Sequence, residues 1–199
     1  MNLHEYQAKE LLKSNGIRVP KSKISNSINE TFLIAEQFQS KVAIKAQIHS
    51  GGRGNAGGIK ITSNPQEAKE FATSILNKNL LTKQNKPHGQ PVNQLLIEET
   101  ISIKQEMYFS ILIDRKSESI VLITSSSGGM DIEEIANKDK NSITKEYCEI
   151  NSKLTSSQIN NLANGLNIKS ELHKKFKEFL LICFKFFKNS DLSLLEINP

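Results

Sequence analysis

Residues 41–62 read KVAIKAQIHSGGRGNAGGIKIT. Lys41 to Ile48 is short, apolar and rich in branched side chains, which predicts a strand, and Ile59 to Thr62 reads as the next one. Between them Gly52-Arg53-Gly54-Asn55-Ala56-Gly57 fits G-x-G-x-x-G, a spacing whose glycines let a backbone approach a phosphate closely. A dinucleotide fold needs that loop to open a helix. Here Gly58-Ile59-Lys60-Ile61-Thr62 is strand-like, so that fold is excluded. The G-K-[ST] ending of a Walker loop is absent as well. What remains is a pliant hairpin tip that folds over phosphates, with Lys45 on the incoming strand and Arg53 in the loop. The lysine precedes the loop, the reverse of the protein-kinase order. The bland alternative is a mobile surface hairpin whose Lys45 keeps its head in water. Five glycines in the eight residues 51–58, out of ten in the chain, favour phosphate.

Outward from this hairpin, apolar spacing at Leu3, Tyr6, Ala8, Leu11 and Leu12 predicts a first helix with Asn2 as its cap and Gly16 after its end. Residues 17–24 read as extended, and a second helix follows over 29–39. Asn64, Pro65 and Glu67 announce a helix to about Lys78. Residues 79–92, with Pro87, Gly89 and Pro91, read as a linker. Three strands follow over 94–99, 105–113 and 119–124, with a tight turn at 114–117. Then come a short helix over 132–136, a weak strand over 145–150, helices over 156–164 and 170–188, and a closing segment over 192–197. Strands alternating with helices, plus three strands in succession, predict an α+β (mixed α/β) architecture of two lobes.

The chain has 199 residues, enough for one medium domain or two small lobes. No apolar run approaches the roughly 18 residues of a membrane span, and the N-terminus lacks the layout of a secretory signal, so a cytoplasmic, membrane-free protein is expected. The net charge of +5 is nearly all lysine, the arginines being Arg18, Arg53 and Arg115. No patch of arginine and aromatics gathers to grip nucleic acid. Cys148 and Cys183 form neither a disulfide framework nor a zinc motif and read as buried thiols. The segment Leu172, Phe176, Phe179, Leu180, Cys183, Phe187 reads as a core helix, and Ser125–Gly129 as a turn before a helix.

Two further constellations suit a nucleotide when taken with the loop; standing alone, the first reads as solvated rim carboxylates at strand ends and the second as a short polar ending. Glu98 and Glu99 close an apolar strand and Glu106 opens the next, where carboxylates can accept bonds from an adenine amino group and ribose hydroxyls. Strand alternation puts Glu196 and Asn198 on one face near the end of the sequence, two oxygen donors suited to a magnesium ion that keeps waters and takes phosphate oxygens.

The blocks MNLHEYQAKELL (1–12), KAQIHSGGRGNAGGIK (45–60), GQPVNQLLIEE (89–99), GGMDIEEIA (128–136) and LEINP (195–199) resemble, in order and spacing, the N-terminal ATP-grasp domain of the β subunit of ADP-forming succinate–CoA ligase. The resemblance covers the whole chain. It implies an ATP-grasp fold of two α/β lobes with the nucleotide between them, lobe one spanning about 21–100 and lobe two about 1–20 plus 101–199. It further implies that Lys45 and Gly52-Arg53-Gly54 hold the ATP phosphates, Glu98 and the backbone at Ile101 address the adenine, Glu106 takes the ribose, and Asn198 with Glu196 sits at Mg2+. In that family ATP phosphorylates a histidine of the partner α subunit, succinate receives the phosphoryl group, and coenzyme A displaces it, a reversible step of the tricarboxylic acid cycle. No residue of this chain is therefore assigned as catalytic, and His4, His49, His88 and His173 are not phosphoryl acceptors. Relative to the family, this sequence stops before the second metal carboxylate and the C-terminal CoA-ligase domain, which implies weak Mg-ATP binding and no turnover by the chain alone. The alternatives are the nucleotide-binding subunit of another ADP-forming acyl-CoA synthetase, for acetate or malate, and an inactive truncated remnant.

Overall fold

The computed structural model describes residues 2–129, 132 and 142–197. The described chain is divided into two units, Met1–Ser102 and Ile103–Pro199. The first unit takes in residues 1–20, which the sequence reading places with the second lobe. The reason is visible in the contacts of the first helix, whose charged side chains pair with strands of that unit.

The first unit carries α1 (Glu5–Ser14), β1 (Ser22–Ser25), α2 (Ile28–Phe38), β2 (Val42–Ala46), β3 (Ile59–Thr62) and α3 (Pro65–Ile75). It continues with β4 (Asn79–Leu80), β5 (Gln90–Pro91) and β6 (Leu95–Glu99). β1, β6, β2 and β3 form an antiparallel sheet in that order. Period-two alternation divides its side chains. Val42, Ile44 and Ala46 of β2 and Leu95 and Ile97 of β6 join Ile34, Ala35, Ala68, Ala72 and Ile75 in one buried core under α2 and α3. Ala43 and Lys45, with Leu96 and Glu98, are then left on the opposite face, where α1 meets them.

Local signals account for the helix starts. Ser27 accepts from the Glu30 amide at 3.2 Å. Asn64 accepts from the Gln66 amide at 2.9 Å, with Pro65 in the first turn as expected. α1 differs: it starts two residues later than predicted, and its cap is His4, whose amide donates to the Gln7 side chain at 2.9 Å. The expected linker over 79–92 is instead part of the first unit. β4 and β5 pair there, and Leu80 and Val92 are buried in the core, an apolar anchor that the turn residues Pro87 and Gly89 concealed.

The second unit carries β7 (Tyr108–Asp114), β8 (Ser119–Ser125), β9 (Ile143–Glu149), α4 (Ser156–Gly165), α5 (His173–Asn189) and β10 (Leu194–Ile197). Its antiparallel sheet has the order β10-β7-β8-β9. β9 pairs with β8 over seven residues, a full strand where the sequence shows only a weak one, because Lys145 on its exposed face and Glu146, half-buried on the other, interrupt the apolar pattern. Asp114 closes the β7–β8 turn by accepting from the Lys116 amide at 3.0 Å and the Ser117 hydroxyl at 2.7 Å. α5 buries Phe176, Leu180, Cys183, Phe184, Phe186 and Phe187, as a core helix should. Gly165 lies where an added Cβ would overlap the Thr144 side chain, so α4 approaches β9 closely there. No helix among the described residues is long and apolar enough to cross a membrane. The short helix expected over 132–136 lies, beyond Ile132, outside the described residues.

Candidate functional site

Lys45 and Glu98 come from non-consecutive strands that are hydrogen-bonded neighbours. Ala43 is the direct partner of Glu98 in the register, so Lys45, two residues on, is its diagonal neighbour on the same face. Its ammonium reaches Glu98 at 2.8 Å and Glu5 of α1 at 3.1 Å. Lys9, one turn along α1 from Glu5, pairs with Glu5 at 2.8 Å and with Glu98. Arg53 returns from the glycine loop to donate to Glu5 at 2.8 Å and to the Ala46 carbonyl at 2.8 Å. Three cations and two carboxylates thus share one cluster of the first unit, leaving it a net charge of about +1. Burial alone would raise the Glu5 carboxyl, but Lys45, Lys9 and Arg53 bring it down to about 2. Burial alone would lower the Lys45 ammonium, but Glu5 and Glu98 raise it instead.

The glycine loop is tied down, not pliant as its composition suggests. Gly58 donates to the Arg53 carbonyl at 2.7 Å and Ala56 to Gly52 at 3.2 Å, folding residues 52–58 into a compact turn. Gly52 and Gly57 have φ of 71° and 75°, a region where a side chain would be strained. At the start of the loop the Gly51 amide donates to the Gln84 side chain at 2.8 Å, the His49 amide to Gln90 at 2.8 Å, and Ser50 and Thr82 share a bond at 2.6 Å. The segment read as a linker is thus the loop's brace. His49 stacks on His4 at 3.9 Å between ring centroids, and the Tyr6 amide donates to Gln47 at 3.2 Å. The His4 imidazole titrates below its ordinary value because of burial, then of the nearby His49 and Arg53.

The predicted site residues divide between the units. Lys45, Arg53 and Glu98 come together in the charge cluster, and Gly52 and Gly54 shape the loop that carries Arg53. Ile101 follows β6 in an exposed irregular stretch. Glu106 belongs to the second unit, where its carbonyl accepts from the Gly128 amide at 3.1 Å. An added Cβ at Gly129 would overlap its carboxylate, so Gly128 and Gly129, read from sequence as a plain turn, are what Glu106 packs against. Glu196 is an exposed carboxylate of β10, a donor type that magnesium accepts. Asn198 lies outside the described residues. Among the described residues no group of three or more His, Cys, Asp or Glu side chains could hold a metal, so an ion beside Glu196 would need further oxygens from water or a ligand. Glu5 and Lys9 were missed by sequence reasoning. The available signal was their i, i+4 spacing, which reads equally well as an ordinary surface pair.

A sheet-and-helix chain in two units, with a glycine turn and a strand lysine converging on one cluster, defines the class. The chain matches the ATP-grasp domain family over residues 2–199 and belongs to it. It resembles the succinate–CoA ligase [ADP-forming] β subunits of Burkholderia multivorans, at 44% identity, and Methylobacillus flagellatus, at 42%, each over 100% of this chain and 52% of the relative. It spans about half the length of these curated relatives. Among solved structures, the dinucleotide-forming acetyl-coenzyme A synthetase 1 of Ca. Korarchaeum cryptofilum shares the fold. Its TM-score is 0.73 at 17% identity, over 100% of this chain and 86% of that one.

Proposed function

We propose that the chain is the ATP-grasp part of a succinate–CoA ligase (ADP-forming) β subunit, a cytoplasmic ligase component that binds Mg-ATP. In this reading it supports phosphoryl transfer to a histidine of an α subunit for reversible succinyl-CoA formation in the tricarboxylic acid cycle. The observation that carries it is the convergence of Lys45 and Arg53 on one shielded cluster, in a chain alignable from end to end with subunits of that name. Lys45 offers three ammonium donors and Arg53 five guanidinium donors, the groups that polyphosphate oxygens take. Gly52 and Gly54 keep the backbone of the loop low enough to approach those oxygens. With the Glu98 carboxylate engaged by Lys45 and Lys9, the base is addressed along the strand end from Glu98 to the backbone at Ile101, and Glu106 takes the ribose. Glu196 and Asn198 would hold the magnesium, which when bound neutralises charge on the phosphates. This chain's own share of the chemistry is grip and electrostatic stabilisation. The histidine, succinate and coenzyme A are handled by the whole complex.

Calorimetric titration of the chain with Mg-ATP and Mg-GTP tests the nucleotide reading. Binding that Arg53→Gln weakens supports it, and no heat at millimolar nucleotide refutes it. Mixing the chain with an α subunit and a separate C-terminal half of a relative's β subunit tests the ligase reading through succinyl-CoA formation.

A further inference from the structure

We infer that Glu5 is a positioning residue for the two phosphate-gripping cations. Its carboxylate spans Lys45 and Arg53 and sets their separation before a nucleotide arrives. The inference rests on the nucleotide-binding reading above. Lys45 is fixed by its strand, but Arg53 stands in an irregular loop, and two like charges converging from different elements repel. Glu5 offers one oxygen to each: Oε1 accepts from Lys45 at 3.1 Å and Oε2 from Arg53 at 2.8 Å. Glu5 is itself held where it stands. It is the first residue of α1, Lys9 on the next turn pairs with the same Oε1, and the neighbours His4 and Tyr6 meet His49 and Gln47 at the far end of β2. The first turn of α1 thus grips the strand and the loop together.

A second account of the same contacts is that Glu5 is a competitor, an internal anion standing in the place of a phosphate. Donor counting favours positioning. Lys45 spends two of three ammonium donors on Glu5 and Glu98, and Arg53 spends two of five on Glu5 and Ala46, so both retain donors for a ligand. The net positive charge of the cluster likewise remains for an incoming anion. The two accounts predict opposite signs. Removing a competitor's negative charge tightens nucleotide binding, whereas removing a positioning group weakens it.

The test uses the full chain and its Glu5→Gln, Glu5→Asp and Arg53→Gln variants and the Glu5→Gln/Arg53→Gln double variant. Affinity for Mg-ATP is read by calorimetry, and amide hydrogen exchange of residues 52–58 is read without ligand. The expected result is an affinity loss of tenfold or more in Glu5→Gln, with faster exchange in the loop. Glu5→Asp keeps the charge but shortens the reach, and should lose affinity as well; it stands in if Glu5→Gln does not fold. On the Arg53→Gln background the Glu5 change should cost little more, because its effect passes through Arg53. Unchanged or tighter binding in Glu5→Gln, unchanged loop exchange, or fully additive losses in the double variant would each overturn the assignment. A wild-type chain that binds no Mg-ATP overturns the nucleotide reading alone; the exchange comparison then decides whether Glu5 tethers the loop.

Discussion

Lys45→Met separates what this lysine does for the fold from what it does for a ligand. Glu98 has a side chain only 6% exposed and Lys45 one 20% exposed, so the pair is largely out of water. Removing one partner of a fully buried pair costs about 3–5 kcal/mol, because the other charge is left uncompensated. Glu98 here keeps Lys9, and Lys45 is partly wet, which brings the expected loss to about 2 kcal/mol. For a chain of this length that corresponds to a fall of about 4–8 °C in Tm. The double variant Lys45→Met/Glu98→Gln removes the stranded carboxylate together with its partner, and should recover about 1 kcal/mol of that loss. Recovery must not extend to function. Both variants should lose Mg-ATP affinity at least tenfold, since neither has the ammonium. The chain contains no tryptophan, so urea unfolding is followed by far-ultraviolet circular dichroism, with calorimetry for the ligand. The reasoning is refuted if Lys45→Met unfolds within about 0.5 kcal/mol of wild type, or if the double variant is no more stable than the single one.

Acid should dissolve the same cluster. The folded Glu5 carboxyl titrates at about 2 against an ordinary 4.5, so its stabilisation is complete above the ordinary value and is lost as pH falls from about 5 towards 2. Unfolding free energy measured across that range should fall more steeply in wild type than in Glu5→Gln, with the gap between them closing by up to about 3 kcal/mol. Gly128→Ala should destabilise the second unit by about 1–3 kcal/mol in thermal unfolding, because the new Cβ would stand 2.6 Å from the Met107 amide nitrogen and 2.7 Å from the Glu106 carbonyl carbon, atoms that no rotamer change can move. Burial pushes the Cys183 thiol up to about 12 and raises Cys148, so a thiol reagent at pH 8 should titrate neither in the folded chain and both in denaturant.

The hairpin at 41–62 was legible because two signals of different kind coincide there: branched residues at both ends and glycines between them. Alternation within KVAIKA and QLLIEE even assigns Lys45 and Glu98 to the polar face of each strand. Sequence does not say that these two strands are neighbours, since β6 begins at Leu95, nineteen residues beyond the end of the α3 pattern at Leu76, and nothing in the pattern between them brings it back beside β2. The reading of 79–92 as a linker failed for a related reason. Proline and glycine mark the turn correctly, but Leu80 and Leu81 before it and Val92 after it are too sparse a pattern to announce that Leu80 and Val92 are buried. Placement of α1 was illegible in a stronger sense. Its apolar stripe is short, none of its residues is buried, and the contacts that fix it are polar ones, ion pairs to Lys45, Arg53 and Glu98 and a hydrogen bond to Gln47, partners far away in sequence that no local pattern names.

Those ion pairs bear on how a phosphate would be received. A cation standing in bulk water must shed its hydration when it takes a phosphate oxygen, and side-chain freedom is lost at the same moment. Lys45 and Arg53 have met most of both costs already, their side chains being 20% and 19% exposed and anchored on Glu5. The two carboxylates that hold them there also lower the local positive potential, which by itself weakens attraction for an anion. Positioning and attraction therefore oppose each other within one cluster, and the third cation, Lys9, tips the balance. Lys9 neutralises the charge that Glu98 would otherwise set against a nucleotide. It follows that Lys9→Met should weaken Mg-ATP binding although Lys9 is assigned no contact with the phosphates, and that raising the salt concentration should narrow its difference from wild type.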